Sequence, residues 1–252
     1  MEPDVTAWGA LRLGEPIDEG NRNPVWRATL DGEPVAVRRS RRSEASLDWE
    51  LDLIEVLHDA GFRVPTIRPT LDGRRHDEGL VVQRWLAGRP PSADDEWRRV
   101  ADALVGIHRL TGSTHRQRPG CRAVTALGPT GRSVDADLSA LPSEVRDEVL
   151  AVFATMTDAP TAVIHGDPDA SNIRIDDDGS VGLLDFDESR VDVCWHDLSN
   201  LRVQVLDEAT HRRAELLSDA WEVANGWVVE NAYARRRLAS LRAGLGDDDR
   251  RR

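Results

Sequence analysis

The run His165-Gly166-Asp167-Pro168-Asp169-Ala170-Ser171-Asn172, followed by Leu183-Leu184-Asp185-Phe186-Asp187, decides the reading of this chain. It places an acid, an amide and a second acid on two short segments. Asn172 lies five residues after Asp167, and Asp185 thirteen after that. Between them, 173–175 and 181–184 flank the acidic turn Asp176-Asp177-Asp178-Gly179, which is the pattern of a β-hairpin. Closing that hairpin brings Asn172 and Asp185 together as oxygen ligands for one hard cation, with Asp167 beside them. Mg2+ suits such a site, completed by water and nucleotide phosphates.

Upstream, 11–17, 25–30 and 34–38 read as three antiparallel strands, the last two joined at the Asp31-Gly32 turn. The connection 18–23 carries a single glycine, Gly20, with Asn21 and Asn23 able to adopt left-handed backbone and Asp18 and Glu19 unfavourable to phosphate. An ordinary polar loop and a phosphate-contacting one both fit it. The third strand ends on Arg38, which alternation places on the face opposite Val35 and Val37. Arg39, Arg41 and Arg42 follow at once and read as a solvated cluster. A helix is expected over 43–60 from Leu47, Leu51, Ile54 and Leu57, with Gly61 as its stop. Glu50 sits beside that stripe, Glu44 and Glu55 near it. A hairpin is expected from 66–71 and 79–85, leading into the linker Leu86-Ala87-Gly88-Arg89-Pro90-Pro91.

Further on, helices are expected over 94–110 and 143–156, separated by an irregular stretch at 111–141. His108 near the end of the first of these reads as a core or capping histidine. Two more helices, about 207–224 and 230–241, would complete the chain, with a charged, disordered tail from 246.

Composition narrows the setting. The chain of 252 residues is long enough for two lobes without disulfides, and Cys121 and Cys194 are too few for a disulfide framework or a cysteine metal site. With an acidic amino terminus and no long apolar run, a cytoplasmic protein is expected. A net charge of −12 argues against nucleic acid or an anionic membrane as partner and weakly favours a cationic one. All 33 basic residues other than histidine are arginine, so a lysine-dependent mechanism is excluded.

His165-Gly166-Asp167, Asn172 and Asp185-Phe186-Asp187 together resemble the catalytic loop and metal-binding segment of the aminoglycoside phosphotransferase (choline-kinase-like) family of small-molecule kinases. The spacing also resembles the protein-kinase pattern. The resemblance implies an α+β, protein-kinase-like two-lobe fold: an N-terminal antiparallel sheet with one helix, and a mainly helical C-terminal lobe. The lobes would span 1–86, covering the nucleotide, and 87–246, holding the catalytic and acceptor sites, with 247–252 as tail.

By the same resemblance, Asp167 orients the acceptor hydroxyl and takes its proton, while Asn172 and Asp185 hold Mg2+. Arg38 stands where the family uses lysine on the nucleotide phosphates, with Glu50 as its partner, and the backbone from Gln83 to Trp85 meets the base of ATP or GTP. His165, Asp187 and Asp197 support the loop, Asp197 as a cap of a helix starting at 198. Asp187 and Glu188 would attract a cationic acceptor, reach the metal or form a solvated acidic rim. The short run from Asp185 to Asp197 favours a small acceptor over a protein. The implied partners are a nucleoside triphosphate and a small hydroxyl compound; oligomeric state is left open. A nucleotide-binding module without turnover is the alternative, motivated by the glycine-poor loop.

Overall fold

The structure, a computed structural model, describes residues 2–17, 24–112 and 115–249. The connection 18–23 expected over the phosphates lies outside them. Along the chain come β1 (Arg12–Ile17), β2 (Val25–Leu30), β3 (Glu33–Arg39), α1 (Glu44–Asp59), β4 (Leu80–Arg84) and α2 (Asp94–Thr111). Then follow β5 (Arg132–Ser133), β6 (Ala136–Asp137), α3 (Ser143–Ala154), β7 (Thr161–Ile164), β8 (Ile173–Ile175) and β9 (Val181–Leu183). β10 (Arg190–Val193), α4 (Trp195–Ser199), α5 (Glu208–Gly226) and α6 (Asn231–Asp249) complete the order. The chain splits into two compact units. One comprises Met1–Ser92 with Ala170–Asp187, the other Ala93–Asp169 with Glu188–Arg252.

The first unit is built on a four-stranded antiparallel sheet in the order β1-β2-β3-β4. Strand alternation puts Trp26, Ala28 and Leu30 of β2 and Val35 and Val37 of β3 into one core with Trp8, Leu80 and Val82. α1 follows from its apolar spacing: Leu47, Leu51, Leu53, Ile54 and Leu57 are all buried. At ~2 kcal/mol each, their burial supplies on the order of 10 kcal/mol before entropy is counted. The helix stops at Gly61, whose φ of +89° a β-carbon would disfavour.

The hairpin expected from 66–71 and 79–85 forms differently. Only its second arm is a strand, β4, and it pairs with β3. The first arm touches β4 through one isolated bridge, Ile67 to Gln83, and then turns away at Thr70, whose hydroxyl receives the Arg74 amide at 2.8 Å. The β8–β9 hairpin forms as the sequence indicates, with Ile173 opposite Leu183. It belongs to this first unit, where Arg89 and Ile175 exchange backbone hydrogen bonds at 3.0 and 2.7 Å. The expected linker is therefore pinned. Gly88, at φ +119°, passes so close that a β-carbon would lie 2.7 Å from the Ile175 carbonyl oxygen.

The second unit is mainly helical. α3, α5 and α6 enclose a core that includes Val149, Phe153, Leu217, Trp221 and Leu241. α2 packs on β7, and β7 pairs antiparallel with β10, a strand the sequence does not announce. α6 continues to Asp249, so the backbone stays helical where a disordered tail was expected. Asp197 is fully buried inside α4, whose N-cap is Cys194; it does not cap a helix starting at 198.

Candidate active site

In the first unit, Arg38 and Arg42 meet Glu50, Asp185 and Asp187. Arg38 ends up only 4% exposed, because the face of β3 opposite the valines meets α1. There its Nη2 donates to Glu50 Oε1, and Glu50 is itself completely buried. Of the three glutamates near the helix stripe, it is Glu50 that Arg38 meets. The Nη1 of Arg38 has no hydrogen-bond partner. It lies 3.6 Å from Asp187 Oδ1 and 3.8 Å from Asp185 Oδ1. Burial alone would weaken the charge on Arg38; the carboxylates of Glu50, Asp185 and Asp187 outweigh that and raise its pKa.

Arg42 is not part of a solvated cluster. It donates to Asp187 Oδ2 from Nε at 3.1 Å and from Nη2 at 2.7 Å. Asp187 is accordingly buried between two arginines and forms no solvated acidic rim. Sequence gave no signal for this contact across 145 residues.

Asn172 and Asp185 close the two ends of the β8–β9 hairpin, where the Leu184 amide donates to the Asn172 carbonyl at 2.8 Å. Asp185 stands exposed at φ +55°, a left-handed conformation that aspartate tolerates better than most residues. An amide oxygen and a carboxylate on adjoining strand ends form a hard-oxygen donor set, which fits Mg2+. Gln83 is buried within β4, opposite Ala36. The Trp85 amide already donates to the Pro34 carbonyl at 3.1 Å, so it serves the sheet, and its ring is faced by Arg27.

The second unit holds Asp167 in a loop fixed from below. Both oxygens of Asp197 are used: Oδ2 takes the His165 amide at 2.8 Å and His108 Nε2 at 2.8 Å, and Oδ1 takes the Gly166 amide at 2.9 Å. Burial pushes the Asp197 carboxyl up, but these donors prevail and hold it down at about 2. The His165 carbonyl receives the Ser189 hydroxyl at 2.9 Å, and the Asp167 amide donates to His165 Nδ1 at 3.3 Å. Gly166 has φ +92°, and a β-carbon there would lie 2.6 Å from the Glu188 carbonyl oxygen. The loop is rigid at its base while Asp167 itself is exposed.

Around it the unit is acidic. Tyr233, the sole tyrosine, has its pKa raised by burial and by the charges of Glu222, Asp167 and Glu230, and lowered in part by Arg237. Glu188 is buried, with Asn225 Nδ2 at 3.4 Å. Tyr233 was legible on the apolar face of the last expected helix; Glu222 was not, because only the packing of α5 on α6 brings its charge within range of Tyr233.

Residues 14–239 match the model of the phosphotransferase enzyme family. A homoserine kinase of Pseudomonas aeruginosa is 30% identical over 190 residues, covering 71% of this chain and 60% of that protein. The chain thus spans about three fifths of that relative's length. Among solved structures, an amicoumacin kinase in complex with AMP-PNP, Ca2+ and Ami aligns with a TM-score of 0.68 at 16% identity, over 94% of this chain and 88% of that one. The choline kinase LicA from Streptococcus pneumoniae aligns with a TM-score of 0.64 at 15% identity, over 93% and 94%. These likenesses establish the kinase-like fold that the catalytic stretch implied. The chain belongs to the phosphotransferase enzyme family.

Proposed function

We propose that this family member transfers the γ-phosphoryl group of ATP, or GTP, to a hydroxyl of a small molecule. The observation that carries the reading is Arg38. It is a buried guanidinium locked to Glu50, with Nη1 left without a hydrogen-bond partner and directed toward Asp185 and Asp187. A fixed, unspent N–H beside carboxylates is suited to an anionic oxygen that arrives together with a cation. Asn172 and Asp185 would hold Mg2+, which when bound neutralises phosphate charge.

Asp167, exposed on a loop whose amides are anchored to Asp197, orients the acceptor hydroxyl and takes its proton. Phosphoryl transfer asks mainly for positioning and charge stabilisation, so a rigid loop base matters as much as the base itself. His165 acts through its backbone and supports the loop. Glu50 fixes the direction of Arg38, and Asp187 holds Arg42 beside it. Backbone groups around Gln83 and Trp85 receive the base. The division into a nucleotide-covering lobe (1–86) and a catalytic and acceptor lobe (87–246) is part of the same proposal.

The acceptor is a small alcohol that carries an amine. Supporting this, the charges of Glu222 and Glu230 act at Tyr233 together with that of Asp167. The acceptors in the names of the homoserine and choline kinases likewise join a hydroxyl to a cationic nitrogen. The test is Mg2+-dependent nucleotide consumption over a panel of amino alcohols, homoserine and aminoglycosides, with amine-free alcohols as controls. Turnover confined to amine-bearing alcohols is expected. Nucleotide binding without turnover across the panel would mark a binding module instead, and preference for the amine-free compounds would remove the acceptor assignment.

A further inference from the structure

Glu44, Asp48 and His76 form a second candidate cation site within the first unit, separate from Asn172 and Asp185. Glu44 opens α1 and Asp48 lies one turn on, so both carboxylates share a helix face. His76 comes from the segment between α1 and β4. One ligand atom from each lies within 4.8 Å of the others. His76 Nε2 is 3.6 Å from Asp48 Oδ1, a separation that two ligands of one ion can adopt. The other ring nitrogen, Nδ1, is buried and has no protein hydrogen-bond partner. The three residues line an open cavity of about 860 Å3, so an ion would have both access and room for water.

Arg75 holds the place of that ion. Its Nη2 lies 2.9 Å from the same Asp48 Oδ1 that faces His76. Nη1 of Arg75 is bonded to Asp52 and lies 3.7 Å from Glu55. The guanidinium therefore has two other carboxylates to keep when it releases Asp48. A cation entering between Glu44, Asp48 and His76 replaces one positive charge at Asp48 and strands none.

We infer that Glu44, Asp48 and His76 bind a first-row divalent transition-metal ion, with Arg75 as an internal competitor for the site. One imidazole with two carboxylates selects Zn2+ or a neighbouring ion over Mg2+, which prefers all-oxygen ligands and retains its water. Bound there, the ion ties the first turn of α1 to the 73–79 segment. α1 also carries Glu50, so the ion braces the helix that orients Arg38. The binding claim stands whether or not the chain proves to transfer phosphate.

The test is Zn2+ titration of the full chain against a chromophoric chelator in excess Mg2+, with Co2+ absorption as a report on a nitrogen ligand. Wild type is expected to take up one Zn2+ per chain. His76→Ala should bind it at least ~100-fold more weakly, since even groups that only hydrogen-bond to metal ligands are worth ~10–100-fold. Arg75→Gln should bind Zn2+ more tightly than wild type, an outcome that misfolding cannot imitate. Equal uptake by wild type and a folded His76→Ala, or weaker uptake by Arg75→Gln, would overturn the assignment.

Discussion

Asp197 accepts a 2.8 Å hydrogen bond from His108, so a carboxylate buried in α4 is tied to the end of α2 while it also holds the loop that presents Asp167. Removing the carboxylate leaves the His165 and Gly166 amides and the imidazole without an acceptor. Asp197→Ala is expected to destabilise the protein by ~3 kcal/mol, the scale for breaking a buried charged network. Urea denaturation measures this, and a loss below ~1 kcal/mol would show that the network carries little of the loop's stability.

Asp167→Asn keeps the shape of the loop and removes the base. Phosphorylation of the best acceptor should fall by ~10² or more with little change in melting temperature. Near-normal turnover would take the proton-accepting role away from Asp167.

Arg38 and Glu50 should respond unequally to substitution. Arg38→Lys retains the charge but not the planar fork, and should keep activity within ~10-fold, one lost hydrogen bond being worth ~1 kcal/mol. Glu50→Gln leaves a buried guanidinium facing a neutral amide, and should both raise KM for the nucleotide and cost ~3 kcal/mol of stability. Steady-state kinetics beside denaturation separates the two effects, and an unchanged KM in Glu50→Gln would break the proposed link between the pair and the phosphates.

Gly166→Ala combines an unfavourable φ with a β-carbon 2.6 Å from the Glu188 carbonyl oxygen. A loss of ~2 kcal/mol or more is expected, since the backbone must shift to relieve both. Circular dichroism melts of the variant report it directly, and an unaltered melt would show that this approach is not constrained.

His196 should mark the acid limit of the fold. Burial, aided by the charge of Arg190, lowers its pKa from 6.5 to about 3. The unfolded chain therefore binds this proton first, and the stability contributed by neutral His196 is lost as pH falls from about 6.5 toward 3. At pH 5 the difference is about 2 kcal/mol. His196→Leu should flatten stability between pH 6.5 and 5 relative to wild type, and identical slopes would mean that other groups set the limit.

The elements legible in sequence were those coded locally. The leucine spacing of α1, the Asp-Gly turns and the alternation around Asp176–Gly179 each depend on neighbours within a few residues. Arg38 was legible too, because β-alternation alone excludes it from the valine face. What escaped were contacts set by packing between distant segments. Arg42 looked solvated because Asp187 is far along the chain, and 66–71 looked like a strand although β4 had a better partner in β3. β10 was hidden because its inward polar residues, Arg190 and Asp192, satisfy each other at 2.8 Å, so the strand lacks an apolar signature. Asp197 was recognised, but not the donors that explain its burial.

The return of the β8–β9 hairpin to Arg89 also dictates an order of biosynthesis. Residues 93–169 must leave the ribosome before the first unit receives its second sheet, the β8–β9 hairpin, so the nascent chain carries an unfinished amino-terminal unit through much of translation. No single proteolytic cut can release that unit whole, because its pieces flank most of the other. An amino-terminal fragment ending near residue 92 should therefore be poorly soluble by itself and regain order when a peptide spanning 170–187 is supplied in trans.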